Sequence, residues 1–567
     1  MSRLCIVAAS VACSLALAGA GLGAVAAEAD LGTEAQREAG RVMYEKYCTQ
    51  CHGEKGDGQG VATPRLKPKP RDFTRGVYKI RSTASGSLPT TSDLVRVIRN
   101  GLPYTSMPAW PQLSESELTE LAYYIKTFSS SFADPAAAPQ PMELPEPPAF
   151  SQESAERGKK LYGEIGCLQC HGELGRGDGT SGPTLVDDWG DHIRAADLTR
   201  RWTFRGGPGR KDIFRAFTTA LSGSPMPSYA DSLTVEQRWD LTDYVWSLSP
   251  ADEPGYGEVA VAARVDSAIE LEGAAELFEK AKPAYIPIVG QIMEPGRNFF
   301  PAVEGISVRA VYNDSDVAIE LRWNDMRAET SGANSPALPV PPAEDDNPWG
   351  AAGAAQAAGE GAAAGDDFWG GDEATPPKKE APPAGEDDFW AEEGGAEGAA
   401  PGAGAPGEFS DAVAIQLPSV VPSGSVKPYF LFGDGGNPVD LWFMNLAGRR
   451  PEMFIGRGSG SLEPQGKGEL SATAAYDRGE WTVVFKRPLR EGGIVLEEGR
   501  FVPIAFSIWD GFNRERGNKR GISRWVSLYL EPGGRPSPYG RVAGAVAATL
   551  GIELLVIGLV RRRRARL

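Results

Sequence analysis

The five-residue pattern C-x-x-C-H occurs twice in this sequence, at residues 48–52 and 167–171, which are 119 residues apart. The same period relates "DLVRVIRNGLPYTSMP" (93–108) to "DIFRAFTTALSGSPMP" (212–227). In each copy a methionine in a proline-flanked loop follows the motif histidine by 55 residues, at Met107 and Met226. Apolar residues in the repeated stretches follow helical spacing. The sequence therefore predicts one small all-α domain present twice, at 30–133 and 153–250.

Cysteine and histidine usage narrows the chemistry of these motifs. The chain has six cysteines and three histidines, and Cys5 and Cys13 lie in the apolar N-terminal run. All the other cysteines lie in the two motifs, so none is left for a long-range disulfide. C-x-x-C-H is the attachment pattern of c-type haem, in which the histidine is the proximal iron ligand. A zinc site is the alternative, since C-x-x-C pairs also bind zinc, but zinc requires neither the adjacent histidine nor the methionine.

The motifs predict two haem c groups, each with a His/Met axial pair. The predicted attachment residues are Cys48, Cys51, Cys167 and Cys170, and the predicted iron ligands are His52, Met107, His171 and Met226. The third histidine, His192, is interpreted as a propionate contact or as an ordinary loop histidine. Nearby Arg, Tyr and Trp residues (Arg71, Tyr78, Arg81 and their counterparts in the second copy) are further candidates to hold haem propionates. A multihaem reductase needs bis-His or open His sites, and only one histidine is uncommitted. Electron transfer is therefore the expected role of these two haems.

On these motifs, residues 35–130 and 153–250 each resemble class I cytochrome c domains. The resemblance implies the small helical fold, the covalent haem and the His/Met ligation for both copies.

The pattern of the sequence changes after the second copy. A proline-rich linker at 134–152 separates the two α-domains and is expected to act as a semi-rigid spacer. Beyond residue 250 the apolar period becomes two, as in "VRAVYNDSDVAIELRW", where Val317, Ile319, Leu321 and Trp323 share a face. Further strands are predicted at "DAVAIQLP", "VDLWFMNL", "EWTVVFKRPL", "FVPIAFSIWDG" and "SRWVSLYLEP". These segments predict an all-β sandwich over 265–535.

An acidic low-complexity insert interrupts the predicted sandwich at 331–408. It holds 16 acidic residues and two lysines, a net charge of −14 of the chain's −17. Such a composition predicts disorder. A short pattern recurs in it as "EDDNPWG", "GDDFWGG" and "GEDDFWA", which is interpreted either as a solvated linker or as a series of docking motifs.

The β-region resembles the haem-b (gamma) subunit of type II dimethyl-sulfoxide-reductase-family enzymes, the group of ethylbenzene dehydrogenase, selenate reductase, chlorate reductase and nitrite oxidoreductase. The matching stretches include "PYFLFGDGGNPVDLWFMNL" and "IAFSIWDGFNRERGNKRGISRWVSLYL". The resemblance implies one haem b held by a methionine and a lysine, with Lys519 as the counterpart of the lysine. Phe432 stands where the methionine is expected, so Met444 or Met453 would have to replace it, or the domain serves docking alone.

The two ends of the chain predict its location. Residues 1–27 read as a secretory signal peptide, with an uncleaved anchor as the alternative. Residues 542–560 predict a transmembrane helix, followed by a basic cytoplasmic tail at 561–567. The expected architecture is two all-α cytochrome c domains, a β-sandwich and this helix, with the haem domains on the periplasmic side of the cytoplasmic membrane.

The expected function is that of a non-catalytic electron-transfer subunit with two haem c groups and, through the resemblance, a haem b. It would pass electrons between a molybdenum-type oxidoreductase, or another redox protein, and a respiratory chain. No nucleic-acid partner is expected. The alternatives are a stand-alone dihaem cytochrome c whose β-domain binds a partner, and a sandwich that binds a carbohydrate or small ligand.

Overall fold

The structure is a computed structural model that describes residues 29–340, 408–420, 426–491, 494–533 and 538–564. The predicted signal peptide lies outside these residues, as does almost all of the predicted acidic insert, from 341 to 407. The chain divides into two compact units. The first unit takes the described residues up to Cys167, with Leu185–Trp189 and Ala196–Ala251, and the second takes Leu168–Thr184, Gly190–Ala195 and the described residues from Asp252 onward.

The repeat seen in the sequence is a repeat of helices. The first copy consists of α1 (Glu34–Tyr47), α2 (Thr49–His52), α3 (Thr91–Asn100) and α4 (Glu115–Lys126). The second consists of α5 (Gln152–Glu164), α6 (Leu168–His171), α7 (Arg210–Thr219) and α8 (Val235–Ser247). Short 3-10 turns lie at Thr63–Arg65, Ser130–Ala133, Pro135–Ala137, Gly182–Thr184 and Arg201–Thr203. The prediction of a helix before each motif and of helices on both sides of each methionine loop is confirmed.

Helix starts follow from local side-chain chemistry. Thr33, Thr90 and Ser114 form capping boxes at the starts of α1, α3 and α4, respectively, in which side chain and backbone satisfy each other's hydrogen bonds.

α1 packs against α4 at Gly40, where a Cβ would lie 2.1 Å from the carbonyl oxygen of Glu120. Only glycine permits that approach, so the contact of the first and last helices depends on this residue.

Within the first unit, the proline-rich linker is bound to both α-domains. Met142 N donates to Ser82 O at 2.8 Å, which ties the linker to the first domain. Arg210 donates to the carbonyl of Pro148 at 2.5 Å, which ties it to the second. The domains also contact each other directly, since Arg81 is fully buried and donates from Nη2 to Thr219 O at 2.6 Å.

The second unit is a β-sheet domain, as the strand patterns predict. Its strands are β1 (Val259–Arg264), β2 (Ala284–Pro287), β3 (Val289–Gly290), β4 (Gly305–Tyr312), β5 (Asp316–Asn324), β6 (Ala412–Pro418), β7 (Val439–Asn445), β8 (Arg450–Gly456), β9 (Leu462–Gly466), β10 (Ser471–Asp477), β11 (Glu480–Pro488), β12 (Arg490–Glu491), β13 (Ile494–Val495), β14 (Phe501–Trp509), β15 (Gly521–Ile522) and β16 (Val526–Leu530). A short helix, α9 (Ala275–Phe278), follows β1.

Fourteen of these strands form one sheet. Eleven of them follow the path β10-β11-β5-β4-β1-β16-β14-β6-β7-β8-β9, and β2, β3 and β15 pair with strands beside this path. Strand β14 belongs to both halves, because residues 501–504 pair with β16 and residues 505–509 pair with β6. The main core includes Val308 and Ile319 from one half and Ile415 and Trp442 from the other. The sheet is therefore bent into two layers around one core, instead of forming two separate sheets.

Two boundaries differ from the sequence prediction. The sheet begins at β1, before residue 265, because Val259–Arg264 pairs in parallel with β16 and β4. Residues 331–340, the start of the predicted insert, contact the sheet domain: Asn334 is buried and donates from Nδ2 to Ser410 O at 2.6 Å and to Glu515 O at 3.0 Å.

The predicted transmembrane helix at 542–560 is wrong: in the part of the chain that the structure describes, no helix is long and apolar enough to cross a membrane. The last helix, α10, runs over Pro538–Arg564.

Candidate haem centres

The first motif forms a single helical turn. Cys48 is the N-cap of α2, and Cys51 and His52 end it. The following loop closes back onto this turn, since Gly58 N donates to His52 O at 2.9 Å and Gly60 N donates to Cys51 O at 3.2 Å. Both thiols and the imidazole are therefore presented by one rigid turn, as covalent attachment and proximal ligation of one haem require.

The ring of His52 is oriented by its surroundings. Its Nδ1 lies 3.0 Å from the carbonyl oxygen of Arg71, which accepts the Nδ1 proton and leaves Nε2 for a metal. The ring stacks on Phe73 with centroids 4.5 Å apart. Burial lowers the pKa of His52, which favours the neutral imidazole. Neutral imidazole is the form that ligates iron.

Met107 lies in a folded-back loop between α3 and α4. Leu102 N donates to Met107 O at 3.0 Å, and Met107 N donates to the hydroxyl of Thr105 at 3.2 Å. The loop starts at Gly101, whose φ is +63° and whose Cβ would lie 2.5 Å from Ala109 N. This position requires glycine on both grounds.

The second copy repeats these local features. Gly177 N donates to His171 O at 2.9 Å, as Gly58 does to His52. Leu221 N donates to Met226 O at 3.2 Å, as Leu102 does to Met107. Met226 packs against the apolar cluster that contains Cys167. The loop hydrogen bonds to the motif histidine and to the methionine are thus the same in both copies. The assignment of Met107 and Met226 as iron ligands stays a prediction.

Buried polar groups in the first unit fit haem propionates. Tyr78 Oη, Trp189 Nε1 and Trp202 Nε1 are buried, and among the described residues they have no hydrogen-bond partner. Arg71 stacks over the Trp189 ring at 4.3 Å. Burial and the nearby Arg71 and Arg205 lower the pKa of Lys79 to about 8. Unpaired buried donors are costly, and the two carboxylates of a haem would both bond them and balance these cations.

This arrangement refines the sequence candidates for the propionates. Arg71 and Tyr78 keep that role, but the donors of Arg81 are directed to Ala84, Tyr78 and Thr219 carbonyls. Lys79, Trp189, Trp202 and Arg205 were missed, and the tryptophans in the polar stretch 187–205 were the available signal. His192 belongs to the second unit, where its ring lies 5.4 Å from that of Phe512.

The position expected to supply the methionine of a haem b is filled by protein. Phe432 is fully buried, and the guanidinium of Arg520 lies 3.7 Å from its ring centroid. Arg520 is also fully buried, and burial lowers its pKa to about 9. Its Nη1 donates to Gly517 O at 3.2 Å and to Asn518 Oδ1 at 2.8 Å.

Neither nearby methionine faces Phe432. Met444 belongs to the main core, whereas Phe432 packs in a separate cluster with Leu441 and Phe443 on the other face of the sheet. Met453 packs against the main core as well. Strand residues that alternate along a chain point to opposite faces, so neither thioether replaces the one missing at Phe432.

Lys519 is half-buried and donates from Nζ to Asn513 O at 3.0 Å. Because the described residues offer no methionine beside Phe432, they do not fit a Met/Lys haem b. The assignment of haem b to Lys519 stays a prediction.

Comparison with known families supports the description of the two cytochrome c domains. Residues 35–125 match the family "Cytochrome C oxidase, cbb3-type, subunit III", and residues 155–249 match the family "Cytochrome c".

The chain is 30% identical over 162 residues to a Haloferax mediterranei protein named as a putative respiratory nitrate reductase haem subunit. The match covers 28% of this chain and 57% of the relative. It is 31% identical over 125 residues to the chlorate reductase gamma subunit of Ideonella dechloratans. The match covers 21% of this chain and 51% of the relative. The chain thus spans about half the length of the curated relatives it matches. A solved structure, the Kuenenia stuttgartiensis reducing HAO-like protein complex, matches at 41% identity with a TM-score of 0.36, covering 38% of this chain and 96% of that chain.

The repeated helical fold, the doubled motif and the family matches define a c-type cytochrome with two haem c groups. In one chain it joins two cytochrome c domains to a β-sheet domain, and it is homologous to haem and gamma subunits of reductases. Its role in electron transfer follows from these two findings.

Proposed function

We propose that this chain is the electron-transfer subunit of a larger oxidoreductase and passes electrons between a molybdenum-type catalytic subunit and a respiratory chain. The observation that carries the proposal is that helices of both cytochrome c domains lie in one compact unit, joined by the buried hydrogen bond from Arg81 to Thr219. The relatives named as subunits of a nitrate reductase and a chlorate reductase support a multisubunit setting. They differ in substrate, so the terminal substrate belongs to the partner.

Residues around the first haem centre orient its histidine and place positive charge beside it. A haem c takes up and releases one electron at a time. Arg71 O holds the Nδ1 proton of His52 and so maintains the ligating tautomer. Arg71, Lys79 and Arg205 supply positive charge beside the buried donors of Tyr78, Trp189 and Trp202. Such charge and hydrogen bonding tune the potential of a haem.

We further propose that the haem domains act in the periplasm. The proposal is supported by the predicted signal peptide at 1–27 and by the use of every remaining cysteine for haem attachment. Spheroplast fractionation tests it: the haem-stained chain should be released with periplasmic markers or be cleaved by external protease. Retention with cytoplasmic markers would contradict it.

The partner is tested by purifying the native, tagged chain under mild conditions and measuring molybdenum and haem in the same peak. A constant molybdenum-to-haem ratio across the peak is expected, together with reoxidation of the reduced haems when the enzyme's oxidised substrate is added. A chain that contains two haem c groups but never molybdenum would instead be the stand-alone dihaem cytochrome. The filled space at Phe432 and Arg520 favours that second candidate over a haem-b subunit.

A further inference from the structure

Four buried carboxylates lie close together in the sheet domain. Asp325 and Glu329 follow β5, Asp411 directly precedes β6, and Asp510 directly follows β14. One carboxylate oxygen from each of Glu329, Asp411 and Asp510 lies within 4.8 Å of the others. The exposed fractions of these three residues are 4%, 0% and 2%. The cluster lies where both halves of the sheet and the shared strand come together.

Asp325 adds an observation independent of this triad. It is only 5% exposed, and its Oδ2 has no hydrogen-bond partner among the described residues. Burial raises the pKa of its carboxyl, and so do the charges of Asp411, Asp510 and Glu329. Glu329 Oε2 is likewise buried without a hydrogen bond. An ionised carboxylate left in this state is costly unless a cation or a proton neutralises it.

Among the described residues, the cations that contact the cluster do not balance its charge. Arg327 Nε contacts Glu329 Oε1 at 2.5 Å, and Arg194 Nη2 contacts Asp510 Oδ2 at 3.1 Å. A fifth carboxylate, Glu515, adjoins Asp510 and accepts hydrogen bonds from Asn298, Asn513 and two backbone amides. In the described parts of the chain, five buried carboxylates are therefore contacted by two guanidinium groups.

Asp411 is held as a metal-ligating carboxylate is usually held. Its Oδ1 accepts from Gly511 N at 2.9 Å, and its Oδ2 accepts from Glu329 N at 2.8 Å and from Trp481 Nε1 at 3.0 Å. Such hydrogen bonds orient a ligand before a metal arrives.

We propose that Glu329, Asp411 and Asp510 form a binding site for Ca²⁺, with the buried carboxylate of Asp325 adding negative charge. The ligand set is purely oxygen, which suits a hard divalent cation. Two Ca–O bonds of about 2.5 Å span about 5 Å, and this matches the spacing of the three oxygens, whereas Mg²⁺ usually keeps several waters and binds through one or two carboxylates.

The site would also explain how the sheet domain tolerates its long acidic insert. Glu329 and Asp411 lie just outside the two ends of the predicted insert at 331–408. A cation bound by both residues and by Asp510 would fasten the chain where it leaves and re-enters the sheet. Ligand binding to the folded state alone raises stability by mass action.

The test uses the full-length holoprotein treated with EDTA, desalted and titrated with CaCl₂. We expect one tightly bound Ca²⁺ per chain by calorimetry and elemental analysis, and a higher melting temperature of the sheet domain with Ca²⁺. The Glu329→Gln variant should weaken Ca²⁺ binding at least about tenfold, since even outer-shell changes cost 10–100-fold. Without metal it should melt no lower than the wild type, because it removes an unbalanced charge.

Asp440→Asn is the matched control. Asp440 is also buried and accepts a hydrogen bond from Ser419 at 2.6 Å, but it lies outside the cluster, so its variant should bind Ca²⁺ as the wild type does. The acidic insert is intact in both variants, so weak binding there cannot produce the difference between them. A wild type that neither retains nor binds Ca²⁺, a different metal in one-to-one amount, or equal binding by Glu329→Gln would each overturn the proposal.

Discussion

The two cytochrome c domains have the same backbone but different charged contacts. Both place a glycine where the first and last helices cross, since a Cβ on Gly40 would lie 2.1 Å from Glu120 O and one on Gly158 would lie 1.9 Å from Asp240 O. Both bury a tyrosine one turn later, Tyr44 and Tyr162. These shared features are the ones that close approach of two helices demands.

The charged contacts differ because many arrangements satisfy the same helices. In the first domain Lys126 is 1% exposed and donates to Thr91 and to Asp30, whose side chain is 54% exposed. In the second domain Asp243 is fully buried and accepts from Arg210 at 2.7 Å, and Arg210 is 13% exposed. The residues that allow the first and last helices to approach closely are therefore the same in both domains, whereas the charged contacts differ.

The largest expected effect concerns what both copies share, the methionine ligands. Met107→Ala and Met226→Ala should each abolish about half of the methionine–iron charge-transfer absorption and lower the potential of one haem, because His/Met ligation raises it. Covalent haem should stay at two per chain by mass spectrometry. Met43→Leu, a half-buried methionine in α1, should leave the band unchanged. An undiminished band in either alanine variant would show that the assigned ligand is wrong.

The next prediction concerns what the two copies do not share. Asp243→Asn leaves the nearly buried Arg210 without its counter-charge and should lower the free energy of unfolding by about 2–3 kcal/mol. Lys126→Met should change it by less than about 1 kcal/mol, because the methionine fills similar space and the exposed Asp30 is free to take up water. Denaturant titrations followed by far-UV circular dichroism measure both. Equal losses would mean that the two contacts are equivalent after all.

Replacing the glycine at the helix crossing should destabilise the two domains to the same extent. Gly40→Ala and Gly158→Ala each force a methyl group against a helix carbonyl, and each should lose about 2 kcal/mol, because overpacking outweighs the gain in helix propensity. Val42→Ala, on the exposed side of α1, should cost under about 0.5 kcal/mol. The melting temperature of each variant tests this prediction. If Gly40→Ala melts at the same temperature as the wild type, the helices do not approach as closely as described.

Much of this organisation could be predicted from the sequence, because the signals are local or periodic. The C-x-x-C-H motifs and the 119-residue period predict the two helical domains, and α7 starts 119 residues after α3. α8 starts 120 residues after α4, with Ser114 and Thr234 as N-caps. Alternation along β5 correctly places Val317, Ile319, Leu321 and Trp323 on the core face.

The remaining features depend on residues that are distant in the chain. Arg81 and Thr219 are 138 residues apart, and the carboxylates at 329, 411 and 510 come from three separate strand ends. No local pattern predicts which of them meet. The transmembrane prediction for 542–560 relied on a count of apolar residues, and among the described residues no helix is long and apolar enough to cross a membrane. The haem-b resemblance did not reveal that Met444 faces away from Phe432.

The smallest expected effect tests a strained position next to the second methionine loop. Gly101 and Ala220 begin the two loops with nearly the same backbone, at φ +63° and +64° and with ψ near 180°. This region is almost restricted to glycine, and another residue there costs about 1–3 kcal/mol. Ala220→Gly should therefore raise the free energy of unfolding by about 1 kcal/mol, after the entropy that glycine adds to the unfolded chain. Ala216→Gly, the same change four residues earlier inside α7, should lower it by about 1 kcal/mol. Urea titration separates the two signs. If both changes destabilise, the strain at Ala220 is smaller than the entropy of a glycine, and the two methionine loops differ less than their sequences imply.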